Sequence, residues 1–144
     1  MPSKLHIILV TLQLLCLILI LFTGPIFPSS FLLTAIFSVS VLFGLWAIAE
    51  MKFRVNIFPD LGNSSKFVTT GPYSVVRHPM YTSVLFSSLC LVLDEFTLFR
   101  ILAWIILLIV MLKKSFIEDN ILKIRFDEFG TYELKTRRLI PYIF

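Results

Sequence analysis

Residues 71–81 read Gly71-Pro72-Tyr73-Ser74-Val75-Val76-Arg77-His78-Pro79-Met80-Tyr81, a polar loop that stops where an apolar run begins. Gly71-Pro72 is a turn signal, because glycine accepts positive φ and proline fixes the φ that follows. Pro79 has no amide hydrogen and disfavours the α conformation at His78, so His78 is expected to be extended and a helix to open at Pro79. Arg77 and His78 then sit at a helix N-terminus. The first amides there have no internal partner and carry the positive end of the macrodipole, which suits an anion such as a carboxylate or phosphate. Taken locally, the pair reads equally well as juxtamembrane residues that keep the helix end among headgroups.

The rest of the chain supplies the setting. In 144 residues there is room for one domain, and 58% of them are hydrophobic while 15% are charged. Soluble domains run at about half apolar and a quarter charged, so an integral membrane protein is expected. The formal net charge of +4 is spread over loops. It reads as topology and headgroup attraction, not as a nucleic-acid surface. Cys16 and Cys90 both fall in apolar runs without metal-ligand spacing and read as packing residues; no metal site is expected.

Working outward, four spans are expected, at about residues 5–22, 31–49, 80–93 and 96–112, in one membrane domain over 1–144. The first could be a signal peptide, but Gly24-Pro25 is followed by Ile26, Phe27 and Pro28 where a cleavage site needs small residues, so a retained helix is expected. Gln13 within it reads as a helix–helix hydrogen bond or a site group. Residues 23–30 make a tight uncharged loop, and Trp46 anchors the end of the second span. After Glu50, Lys52 and Arg54 the chain is mixed as far as Arg77: Phe53, Val55, Ile57 and Phe58 alternate with charges, Pro59-Asp60-Leu61-Gly62-Asn63 makes a turn, and the segment is expected on the membrane surface. Asp94-Glu95 forms the corner of a helical hairpin made by the last two spans, with Arg100 counted as a corner charge.

Lys and Arg are absent from the first loop and the corner has Arg100; Lys52, Arg54, Lys66 and Arg77 fall in the second loop and seven more follow residue 112. That alternation predicts the 71–81 loop, the tail and both termini on the cytoplasmic side. In the tail Ile117, Ile121 and Ile124 recur at helical spacing and Asp119 lies four before Lys123, so the last span is expected to continue as an amphipathic interfacial segment. Glu118 and Asp119 read most simply as a solvated acidic pair facing Lys114 and Lys123.

Together, the loop, the hairpin, the paired acids and the closing Arg138-Leu139-Ile140-Pro141 resemble the integral-membrane methyltransferases that include isoprenylcysteine carboxyl methyltransferase and the phospholipid N-methyltransferases. The resemblance runs from Thr70 to Pro141; the first two helices match only as apolar spans. It departs at Asp119, where glutamate is usual, at Phe126-Asp127, where phenylalanine-glycine is customary, in a spacing to Tyr132 that is one residue short, and at Thr136-Arg137, where valine-proline is common.

The resemblance implies a cytoplasm-facing pocket for S-adenosyl-L-methionine built from residues 70–81 and 113–141. Tyr73, Arg77, His78, Pro79, Tyr81 and Glu118 are the implied cofactor-binding residues, and Glu118 and Lys113 the implied catalytic ones. The chemistry of the residue types agrees: the cofactor's carboxylate suits arginine, histidine and helix amides, and its sulfonium and hydroxyls suit a carboxylate and aromatic faces. The five glycines contain no Gly-x-Gly, so a Rossmann cofactor site is not expected. The implied acceptor is a lipidic or small hydrophobic carboxylate, amine or thiol, with the bilayer as the other partner. A non-catalytic scaffold or small transporter is the rival; the spans over 5–49 hold no ionisable group except His6 at their edge, which argues against transport. The oligomeric state is not readable from helices whose lipid-facing and partner-facing sides look alike.

Overall fold

The computed structural model describes residues 4–52 and 67–140, and the described part is helical. Five α-helices follow in order: α1 (Lys4–Phe22), α2 (Phe31–Glu50), α3 (Pro79–Asp94), α4 (Leu98–Arg125) and α5 (Phe129–Lys135). A 3-10 turn, Gly71–Ser74, precedes α3. Among the described residues the only bridge of β type is a parallel one between Val76 and Arg137. Most of the expected surface segment, residues 53–66, lies outside the described residues.

Two helices, α1 and α2, are long and apolar enough to cross a membrane. Most of their length is exposed apolar surface, Leu15, Ile18, Leu32 and Val39 among it. A helix buried in the core of a soluble protein would not leave such a face open, which is what a lipid environment requires. At about 1.5 Å per residue, the 16 residues of α3 span about 24 Å and the 28 of α4 about 42 Å. The hairpin therefore has one short and one long arm, and α4 runs well past the start of α3.

The helices pack as α2 on α3, α3 on α4 and α4 on α1. Small residues set the first contact: Ser40, Gly44 and Ala47 are the buried positions of α2. A Cβ at Gly44 would run into the Ser83 side chain, so glycine here lets the two backbones approach closely. On α1 the buried stripe Leu9, Gln13, Cys16, Ile20 has helical spacing and faces α4. Cys16 and Ile20 join Leu85, Leu91, Val92, Ala103, Leu107, Met111 and, from the tail, Leu139 in one core.

The hairpin corner departs from the expected loop of solvated charges. Asp94 accepts from the amide and hydroxyl of Ser29 at 2.9 and 2.8 Å and from the amide of Ser30 at 3.3 Å. It thereby places a negative charge at the N-terminus of α2. Thr97 caps α4, so the helix starts at Leu98 and Arg100 belongs to its first turn. Arg100 is fully buried: it donates to the Ile20 carbonyl at 3.2 Å and the Glu95 carbonyl at 3.0 Å. It is a tie between α1 and the corner, which its sequence position among loop charges did not indicate.

Candidate functional site

Gly71 has φ +58°, the conformation that glycine tolerates, and this turns the chain into the 3-10 turn with Pro72 and Tyr73 buried. The chain then extends to His78, with φ −123° and ψ 61°, and α3 opens at Pro79 as the proline constraints require. Along this extended piece the tail lies in register: Arg77 N–H donates to the Arg137 carbonyl at 2.7 Å, His78 N–H to the Arg138 carbonyl at 3.1 Å, and Arg137 N–H to the Val75 carbonyl at 3.2 Å. The Thr82 hydroxyl donates to the Leu139 carbonyl at 2.6 Å and that of Tyr132 to the Tyr73 carbonyl at 2.6 Å. The tail is thus fixed to the loop at both ends of the extended piece.

His78 is the hub. Its Nδ1 lies 3.1 Å from Glu118 Oε2 and its Nε2 2.9 Å from Asp119 Oδ1, so one buried imidazole faces two carboxylates of α4. Burial works against the charged ring, but the hydrogen bonds with Asp119 and Glu118 outweigh it and raise the His78 pKa above its ordinary value. Both ring nitrogens then donate, and each carboxylate accepts. Asp119, 1% exposed, also accepts from Arg138 Nε at 2.9 Å and Arg77 Nε at 3.3 Å. Burial opposes the Asp119 carboxylate; the His78 hydrogen bond and the charges of His78, Arg77 and Arg138 prevail and hold its pKa below the usual range.

Glu118 has a different environment. It accepts a hydrogen bond from the Tyr81 hydroxyl and keeps 15% of its side chain exposed. The Tyr81 ring stacks on that of His78, with centroids 5.5 Å apart and planes 6° from parallel. Tyr73 lies within reach of the same charges: burial first, then Tyr132, Glu118 and Glu50, push its phenol up, so it stays a neutral donor. The first helical bond of α3 runs from Thr82 N–H to the His78 carbonyl, so the amides of Met80 and Tyr81 precede it at the helix entrance.

Tyr73, His78, Pro79, Tyr81 and Glu118 are therefore brought together, and three of the expectations change. Arg77 points into the tail: besides Asp119 its guanidinium donates to the carbonyls of Glu133 at 3.2 Å and Thr136 at 2.9 Å, and it is not turned outward as an anion holder. Asp119 does not pair with Lys123, which meets Glu133 at 2.9 Å instead; the supposed solvated acidic pair is one buried acid and one partly open one. Lys113 is exposed, and the lysine at the cluster is Lys114, which is buried, donates to Gln13 Oε1 at 2.7 Å and stands 5.1 Å from the Tyr81 ring centroid. A sequence signal existed for that exchange. Lys114 follows Ala103, Leu107 and Met111 at the three-and-four spacing of the buried α4 stripe, and Lys113 falls off it.

A family model described as phospholipid methyltransferase matches residues 28–128, which include α2, the loop, the hairpin and both acids of the cluster. The chain belongs to the phospholipid methyltransferase family. Searches among curated proteins and among solved structures gave no match. As a family member with two exposed helices long and apolar enough to cross a membrane it is a membrane methyltransferase, and the phospholipid methyltransferase match ends before α5 and the paired tail.

Proposed function

We propose that the protein is an S-adenosyl-L-methionine-dependent methyltransferase that acts on a lipidic or small hydrophobic acceptor at the cytoplasmic face of a membrane. The observation that carries the reading is the convergence of two segments distant in sequence, the His78 loop and α4, on one partly open carboxylate, Glu118, flanked by aromatic rings. The residues fit the cofactor's chemistry. Glu118 offers its exposed edge to hydroxyls or to a sulfonium, the Tyr73 ring attracts a cation, and the entrance amides at Met80 and Tyr81 suit a carboxylate. When bound, the cofactor supplies an activated methyl group; the protein has to align it with the nucleophile and exclude water.

In this reading Arg77 supports the pocket by holding the tail against Asp119. Glu118 acts in binding and, for an amine acceptor, takes its proton. The basic role assigned to Lys113 by resemblance has a second claimant in Lys114, which the geometry favours; replacing each by alanine separates them, with turnover expected to fall in the Lys114 variant. The hairpin completes four spans, with α3 and the first part of α4 as the third and fourth and both termini cytoplasmic. In this reading the site lies near the headgroups of the cytoplasmic leaflet, where an acceptor held in the bilayer can reach it.

The test is transfer of labelled methyl from S-adenosyl-L-methionine by purified protein in vesicles containing phosphatidylethanolamine, with a prenylated cysteine or a hydrophobic thiol supplied in parallel. Label in one acceptor, abolished by Glu118→Ala, is expected. Folded protein that transfers to none of the three contradicts the acceptor classes.

A further inference from the structure

Among the buried α1 residues Leu9, Val10, Gln13, Cys16 and Ile20, Gln13 alone offers an amide, and it lies outside the family-matched region. Its oxygen accepts from the Lys114 ammonium at 2.7 Å in a buried contact. Lys114 lies four residues before Glu118 on α4, one turn apart on the same helix face. Burial holds the Lys114 pKa below its ordinary value, and the Glu118 carboxylate acts against that shift. The Tyr81 ring stands between them, under the ammonium and with its hydroxyl on Glu118. A lysine has a flexible stem and a compact charge, so in a buried setting its ammonium moves to the nearest good acceptor. The Gln13 amide and the Glu118 carboxylate are both acceptors that act on the Lys114 ammonium.

We propose that Gln13 is a positioning residue that holds the Lys114 ammonium on the α1 side and so keeps Glu118 available to the cofactor. The inference rests on the cofactor reading above. Without the Gln13 oxygen, Lys114 closes on Glu118, neutralises it and takes the edge that the cofactor uses. A role confined to stability predicts something different: loss of the Gln13 bond lowers the melting temperature and leaves the cofactor affinity of the folded protein alone.

The experiment measures S-adenosyl-L-methionine affinity and melting temperature in detergent for the whole chain and a short variant series. Gln13→Leu is expected to weaken affinity about tenfold, within the range for directly coupled neighbours. Adding Lys114→Met to Gln13→Leu removes the rival cation and is expected to restore affinity to within about threefold of wild type. The double variant also removes both partners of a buried hydrogen bond, a change that folds tolerate better than removal of one. Gln13→Glu keeps an acceptor and retains affinity. Gln13→Asn, one methylene shorter, reproduces the loss and serves in place of Gln13→Leu if that variant does not fold. Wild-type affinity in folded Gln13→Leu or Gln13→Asn overturns the proposal, and so does a double variant as weak as the single. Absence of binding by the wild-type protein instead overturns the cofactor reading, which keeps the two failures apart.

Discussion

His78 Nε2 lies 2.9 Å from Asp119 Oδ1, and this buried pair joins the loop before α3 to the far end of α4. Asp119 carries the charge that also holds Arg77 and Arg138, so three cations and two chain segments depend on one carboxylate. Glu118, the next residue, is left with its outer edge open. The arrangement divides the acidic pair into a structural member and a chemical one.

Asp119→Ala leaves His78, Arg77 and Arg138 without their shared counter-charge. Breaking a buried pair from one side costs about 3–5 kcal/mol. A large fall in melting temperature in detergent is expected, with a smaller fall for Asp119→Asn, which keeps an acceptor oxygen. Equal and slight effects in both variants would mean that the cluster is not what fixes the tail.

The cluster also sets a pH dependence. The pKa of His78 is raised above its ordinary 6.5, since its bonds with Asp119 and Glu118 outweigh burial. Its contribution to stability is therefore complete below 6.5 and is lost as pH rises through the higher folded value. The pKa of Asp119 is lowered below its ordinary 3.8 despite burial, so its contribution is complete above 3.8 and is lost as pH falls through the lower folded value. Melting temperature against pH should show a plateau between these limits and an alkaline decline that is reduced in His78→Gln. An alkaline decline of the same size in that variant would assign it to other groups.

Much of this was legible in the chain because local rules decide it. Pro79 fixes where α3 begins, Gly71 marks the turn, and the apolar runs bound α1 and α2 to within a residue or two. The partners of Arg77 and Asp119 were not legible. The helical rule that pairs Asp119 with Lys123 holds for a solvated face, whereas the rotation of α4 turns Asp119 into the bundle. That rotation depends on which residues of α1 and α3 receive it, and so do the burial of Lys114 and the exposure of Lys113. The bridge between Val76 and Arg137 joins distant residues through backbone groups, which side-chain patterns do not report.

Tyr132→Phe removes the hydroxyl that donates to the Tyr73 carbonyl at 2.6 Å and keeps the ring packing against Phe129. The expected cost is about 1 kcal/mol, the net worth of one such bond. Thermal unfolding measures it, and a cost near zero would show that this bond adds nothing to the backbone bridge and the Thr82 contact in holding the tail.

Gly44→Val puts a branched side chain where the Ser83 side chain already stands. Overpacking of this kind costs about 1–3 kcal/mol. Combining it with Ser83→Gly should recover part of the loss, because the two positions share one space; purely additive losses in melting temperature would contradict the close α2–α3 contact.

The central claim is that the His78 loop and Glu118 form a cofactor pocket. Equilibrium binding of S-adenosyl-L-methionine to the purified protein in detergent, beside His78→Ala, tests it most directly. Saturable binding by the wild-type chain, lost in His78→Ala and weakened in Glu118→Ala while both variants remain folded, is the predicted result. No binding by folded wild-type protein, or wild-type affinity in both variants, would contradict it.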